Sequence, residues 1–151
     1  MNDSISIRPG TCQDIPRVFE LICELAQFEN AREQVETSPE QLERDGFGPA
    51  PLFGLLVAQR GEEVVGMALT YFRYSTWKGK RLYLEDLVVT ESARGNGVGR
   101  ALLEATMRVA REAGCSGLMW QVLDWNTPAI EFYKRFGVRF DGEWLNVNLD
   151  L

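Results

Sequence analysis

A chain of 151 residues with 45% apolar content fits one domain and can bury a core without disulfide or metal staples. It contains no histidine, three cysteines and a formal net charge of −6. This excludes histidine as base or metal ligand, the cysteines form no pair with disulfide-framework or zinc spacing, and no apolar run approaches the ~20 residues a bilayer requires.

The acidic excess is local. Glu20, Glu24, Glu29, Glu33, Glu36, Glu40, Glu43 and Asp45 face only Arg32 and Arg44 in the same stretch, and the rest of the chain balances. Nucleic acid and anionic membranes are poor partners for such a segment, and a small cation is a good one. A solvated helix surface is the plainer account of most of these acids. No basic-then-apolar leader opens the chain, so a cytoplasmic protein with buried free thiols is expected.

Ser4-Ile5-Ser6-Ile7-Arg8 alternates and predicts a first strand, ended by Pro9-Gly10. Thr11 and Asp14 have capping-box spacing, and Ile15, Val18, Phe19, Ile22, Leu25 and Ala26 give one apolar helix face to about Phe28. Ser38-Pro39 starts a second, short helix that Gly46 and Gly48 close. Residues 52–59 and 64–74 read as a strand pair around Arg60-Gly61-Glu62, residues 75–80 as a loop and 82–89 as the next strand. A helix ending at Gly114 follows, then a strand over 118–123. Thr127 is expected to cap a helix running from Pro128 to about Phe136, stopped by Gly137. Residues 138–141 and 144–149 are predicted as two last strands. Mixed order of this kind gives one α/β (α+β) domain over 1–151, a central sheet covered by helices.

Between the strand over 82–89 and its following helix stands Arg94-Gly95-Asn96-Gly97-Val98-Gly99-Arg100. N–H groups at a helix start lack internal acceptors and sit at the positive end of the helix dipole. Glycines let an anion approach them, and Arg94 and Arg100 add charge, so the stretch reads as a phosphate or pyrophosphate cradle. The glycine spacing does not fit a dinucleotide fingerprint, and Gly99-Arg100-Ala101 does not fit a triphosphate loop. A turn serving geometry alone is the plainer alternative.

Two further places carry chemistry. Glu85 and Asp86 interrupt the apolar strand, and in a regular strand they would face opposite sides. Buried acids are costly unless satisfied, so either a salt bridge at a sheet edge or a base and cation-binding carboxylate at a bulge is expected. In Trp125-Asn126-Thr127-Pro128-Ala129-Ile130-Glu131-Phe132-Tyr133, the helix-start residues Asn126 and Thr127 can cap or bind a ligand. Tyr133 is either a core tyrosine or a proton donor.

The stretch Arg94-x-x-Gly97-x-Gly99 resembles the coenzyme A loop of the GNAT N-acetyltransferase superfamily. Asn126-x-Pro128-Ala129-Ile130-x-Phe132-Tyr133-Lys134-x-x-Gly137 resembles that superfamily's second motif. Glu24-Leu25-Ala26-Gln27-Phe28-Glu29, Glu43-Arg44-Asp45-Gly46-Phe47-Gly48, and Tyr71-Phe72-x-Tyr74-x-x-Trp77-x-Gly79-Lys80 running into Leu82-Tyr83-Leu84-Glu85-Asp86 resemble its diamine (spermidine/spermine) acetyltransferase branch. The likeness extends from Ile7 to Trp144, with a short turn at 60–63, a shorter C-terminal end, and Gln121 where other members are apolar.

The resemblance implies a GNAT fold: a mostly antiparallel sheet whose parallel fourth and fifth strands splay apart. It implies acetyl-CoA as cosubstrate, no metal, a small cationic amine as acceptor, and a homodimer. Backbone groups of Leu87, Val88 and Val89 are implied to hold the pantetheine arm. Arg94, Gly95, Asn96, Gly97, Val98, Gly99 and Arg100 are implied to hold the pyrophosphate, and Asn126, Thr127, Pro128 and Ala129 the arm's other side. Tyr133 is implied as acid for the leaving thiolate and Glu85 as base, through water. Phe28, Glu29, Trp77, Asp86 and Gln121 are implied to contact the amine, Trp77 with a cation–π face. An acetyltransferase for another small-molecule or protein amine, or a non-catalytic acyl-CoA sensor, is the alternative; Glu85 and Tyr133 together favour the enzyme.

Overall fold

The computed structural model describes residues 4–151. The chain forms two compact units, one running to Trp120 and the other Gln121–Leu151.

The first unit is built on five strands: β1 (Ile5–Pro9), β2 (Gly54–Arg60), β3 (Glu63–Ser75), β4 (Gly79–Val89) and β5 (Leu118–Met119). They lie side by side in chain order. Pairing is antiparallel from β1 through β4, and β4 and β5 are parallel. The helices of this unit are α1 (Ile15–Phe28), α2 (Pro39–Phe47) and α3 (Val98–Glu112).

Local chemistry sets the helix starts. The Asp14 carboxylate accepts from the Thr11 N–H at 2.8 Å and from both terminal nitrogens of Arg8 at 2.8 and 2.9 Å, which fixes the turn that leads into α1. At α2 the Ser38 hydroxyl accepts from the Gln41 N–H at 3.1 Å, with Pro39 in the first position.

Ile15, Val18 and Leu21 of α1 pack on the sheet face formed by Leu55, Val57, Met67, Leu69 and Val88. Each such buried aliphatic side chain contributes about 1.5–3 kcal/mol. The opposite face takes α3. A Cβ on Gly66 of β3 would stand 3.4 Å from Val98 Cγ1, 3.1 Å from Leu102 Cδ1 and 2.8 Å from the Val88 carbonyl oxygen, so a bare backbone there lets α3 settle close.

Several expectations need correcting. The loop expected over residues 75–80 is shorter: the ladder runs to Ser75 opposite Gly79, a tight hairpin with only Thr76, Trp77 and Lys78 at its tip. β5 stops at Met119, because its ladder to β4 extends only over Leu82–Leu118 and Tyr83–Met119. The three thiols are free but partly exposed rather than buried.

In the second unit, α4 (Thr127–Lys134) starts one residue early. Asn126, not Thr127, caps it, its Oδ1 accepting from the Ala129 N–H at 3.4 Å. Gly137, at φ 67°, lies just past its end. The last two strands do not form, and residues 138–151 have no regular structure. Alternation states which side a strand could bury. It does not supply a ladder, and without one Trp144, Leu145, Val147 and Leu149 are left 73–91% exposed.

Candidate active site

The centre of the candidate site is a β-bulge. Leu69 of β3 pairs with Asp86, but its neighbour Thr70 pairs with Leu84, so Glu85 is an extra residue with no partner on β3. Side chains of paired residues share a face. Asp86 therefore lies with Leu69 on the α1 side, and so does Tyr83, which pairs with Tyr71. In a regular strand residues 83 and 86 would face opposite ways; the inserted residue resets the phase.

The bulge gathers acids. Asp86 is half-buried, and its carboxyl is pushed up to about 6, first by burial and then by the charges of Glu85 and Glu29. Glu29 follows the last residue of α1, which Asn30 closes in the left-handed region at φ 58°. Burial raises the Glu29 carboxyl as well. Phe28 beside it is 44% exposed. Glu85 is exposed, and its Oε2 accepts a hydrogen bond from the Tyr71 hydroxyl at 3.0 Å.

Trp77 is not brought to this cluster. It stands 87% exposed at the hairpin tip, next to Gly79. At about 3.3 Å per residue, the six residues from Gly79 to Glu85 span about 20 Å of β4.

Beyond Tyr83, β4 continues to Val89 with no strand hydrogen-bonded on its β5 side among the described residues. Leu87, Val88 and Val89 lie on this stretch, paired on their other side with Ala68, Met67 and Gly66. A 3-10 turn (Glu91–Ala93) and the glycine loop then lead into α3.

Gly97 is the N-cap of α3, at φ 80°, and Gly95 has φ 79°. No side chain caps the helix, and a Cβ at Gly95 or Gly97 would meet nothing within 4 Å. The N–H groups of Val98 and Gly99 open the first turn, where a helix has no acceptors of its own. Val98 is buried beneath this turn, while Asn96 donates to the Arg94 carbonyl at 3.3 Å and shapes the loop. The residues present therefore fit a pyrophosphate-bearing cosubstrate: open space, uncapped N–H groups and left-handed glycines coincide.

The flanking arginines are already engaged. Arg94 Nε donates to the Val89 carbonyl at 2.9 Å, its guanidinium lies 3.5 Å from Glu24 of α1, and it stacks 6.0 Å from the Phe28 ring. Arg100 pairs with Glu104 at 2.8 Å. Glu24, one of the acids read as solvated surface, also accepts from the Thr90 hydroxyl at 2.9 Å and the Glu91 N–H at 3.0 Å. It ties α1 to the loop that precedes the glycines.

Within the second unit, Tyr133 is buried, with its ring 5.4 Å from that of Phe132. Asn126 spends its side-chain oxygen as the α4 cap, and Thr127, Pro128 and Ala129 form the first turn. Gln121 donates to Asn146 Oδ1 at 2.7 Å.

Tyr71 and Glu24 stand in the motifs that carry the resemblance, but sequence reasoning assigned neither a role. The Tyr71 signal was present: once Ser75 is opposite Gly79, counting back brings Tyr71 opposite Tyr83, within diagonal reach of Glu85. For Glu24 no sequence pattern pointed to its partners, which lie 66 and more residues away.

Residues 16–138 match the profile of the Acetyltransferase (GNAT) family. A thialysine N-epsilon-acetyltransferase of Bos taurus is 41% identical over 143 residues, which cover 89% of this chain and 84% of that protein. The spermidine/spermine N(1)-acetyltransferase-like protein 1 of Homo sapiens is 37% identical over 142 residues, covering 89% of this chain and 20% of that protein. Among solved structures, an aminoglycoside acetyltransferase from an uncultured soil metagenomic sample superposes with a TM-score of 0.79 at 20% identity, over 97% of this chain and 96% of its own. At that identity the likeness is one of fold.

Proposed function

The chain belongs to the acetyltransferase (GNAT) family and is an N-acetyltransferase, and on that premise we propose that it acetylates a primary amine of a small diamine, polyamine or thialysine-like molecule, with acetyl-CoA as donor, in one ternary complex. The observation that carries the substrate class is the bulge at Glu85, which gathers Glu85, Asp86 and Glu29 near one another. Such a cluster is unfavourable alone and is relieved by a cation. The names of the thialysine and spermidine/spermine relatives support the same class.

The chemical demand is specific. An alkylammonium with a pKa near ~10.4 is neutral in only about one molecule in 2,500 at pH 7, so freeing the amine costs roughly 4–5 kcal/mol. In this reading Glu85 takes that proton, directly or through water. Asp86 and Glu29 hold the second cationic group. Tyr133 Oη gives a proton to the departing sulfur. Acetyl-CoA, when bound, supplies the activated acetyl thioester. The first turn of α3 and Gly95 to Arg100 would hold its pyrophosphate, with Arg94 bracing the loop from behind. Backbone groups of Leu87, Val88 and Val89 would hold its arm along the unpaired edge of β4. Asn126, Thr127, Pro128 and Ala129 are assigned to the same arm from the motif, and Phe28 and Gln121 to the amine.

The reading takes residues 1–151 as one acetyltransferase domain working in the cytoplasm as a homodimer. Phe72, Tyr74 and Trp77, exposed along the β3–β4 hairpin, are apolar surface that a second copy could use.

A coenzyme A thiol-release assay with thialysine, spermidine, putrescine and a lysine peptide tests the function. Turnover with the small diamines and little with the peptide is expected. Turnover with the peptide alone makes the chain a protein acetyltransferase. Coenzyme A binding without turnover on any amine makes it a sensor.

A further inference from the structure

We propose that Tyr71 is a positioning residue for Glu85, its hydroxyl fixing the carboxylate that takes the proton from the amine. The proposal rests on the reading of Glu85 as the base.

Glu85 is the bulged residue of β4, with no partner across the ladder. Ladder pairing normally fixes where a strand side chain points, and a bulge releases that constraint. A base must be held within hydrogen-bond reach of its proton, so the lost constraint has to be replaced. Tyr71 replaces it, donating to Glu85 Oε2 at 3.0 Å from the neighbouring strand. The donor is itself fixed, because its ring lies against that of Tyr83 with centroids 5.2 Å apart.

Oε2 is thus committed to Tyr71, and Oε1 is left to accept the proton: the amine N–H bond breaks and an O–H bond forms at Oε1. A phenol can play this part only while protonated. Burial, then the hydrogen bond to Glu85, push the Tyr71 hydroxyl up to about 12, so it remains a donor across the working range. The other groups around the pair are Tyr83, raised by burial and by Glu85, and Arg73, whose guanidinium sits 5.9 Å from the Tyr83 ring. Asp86 and Glu29 complete the set, Asp86 feeling the charges of both Glu85 and Glu29. None of these donates to Glu85 at hydrogen-bond distance among the described residues.

Tyr71→Phe keeps the ring and removes only the donor. The test compares wild type, Tyr71→Phe, Glu85→Gln and the double variant in steady-state acetylation of spermidine and thialysine across neutral to alkaline pH. We expect Tyr71→Phe to lose about tenfold in kcat, with KM for acetyl-CoA unchanged. The deficit shrinks as pH rises toward the amine pKa near ~10, because fewer amines then need a base. The double variant falls no further than Glu85→Gln, since both lesions remove one function. Full kcat in Tyr71→Phe, or additive losses in the double variant, overturns the positioning role while leaving Glu85 as base. A wild-type rate and pH profile in Glu85→Gln overturns the base assignment, and the proposal with it.

Discussion

At the scale of single residues, Asp86 links the fold to the proposed chemistry. Its carboxyl is held at about 6 in the folded protein, above the ordinary carboxylate range, by burial and by its acidic neighbours. For an acid raised in this way the folded state binds the extra proton. Its share of stability is therefore complete below the unfolded value near ~3.9 and is lost as pH rises toward about 6. Asp86→Asn should remove that slope. Denaturant unfolding of the unliganded protein should show the variant gaining about 3 kcal/mol over wild type between acidic and neutral pH, and no relative gain at the acidic end. Asp14 works in the opposite direction. The Arg8 guanidinium, then the Thr11 N–H, hold it below the ordinary range, so its contribution is present at neutral pH and lost on acidification. A variant-minus-wild-type difference isolates Asp86 from that background. A difference independent of pH would remove Asp86 as a destabilised acid awaiting a cation.

At the scale of elements, the start of α3 has two separable requirements. Gly97 is left-handed at φ 80°, which costs an L-residue roughly 1–2 kcal/mol, yet the space around its absent Cβ is open. Gly97→Ala should therefore fold, with a lowered melting temperature. Calorimetric titration should show acetyl-CoA affinity down by about tenfold or more, because a methyl group would stand where the anion must approach. A variant that loses stability but binds acetyl-CoA like wild type would move the cradle off this loop. The bracing of the loop by Arg94 and Glu24 also joins two elements with different jobs. α1 carries Glu24 against the loop and ends beside Glu29 at the acid cluster. One helix thus touches both the proposed donor side and the proposed acceptor side.

At the scale of the molecule, the net charge of −6 divides into acids with structural work and acids that face solvent. Glu20 pairs with Arg17 and Glu24 holds the loop, whereas Glu33, Glu36 and Glu40 are exposed. Exposed charges act over a Debye length of ~8–10 Å at ordinary ionic strength, so these three can influence encounter with a cation but not its bound geometry. Neutralising all three to glutamine should lower kcat/KM for spermidine about 2- to 5-fold at low salt, and the difference should vanish in high salt while kcat stays constant. A loss that persists in high salt would place one of these acids in contact with substrate.

The sequence alone determined those features whose causes are local. The Ser38-Pro39 start, the apolar stripe of α1, the hairpin of β2 and β3 and the glycine opening of α3 all rest on groups within a few residues of each other. Motif likeness carried the family and the parallel fourth and fifth strands. Alternation misread residues 138–151, since a strand exists only where another offers its hydrogen bonds. Only the tertiary structure decided that Glu85 is the unpaired residue of a bulge, because a register slip belongs to two strands at once. It alone put Trp77 at a hairpin tip, about 20 Å of strand from the acids it was expected to join. It alone turned Arg94 toward Glu24 and Val89. Those contacts cross 5 to 70 residues of chain, and no pattern in the intervening sequence encodes a distance that folding has yet to set.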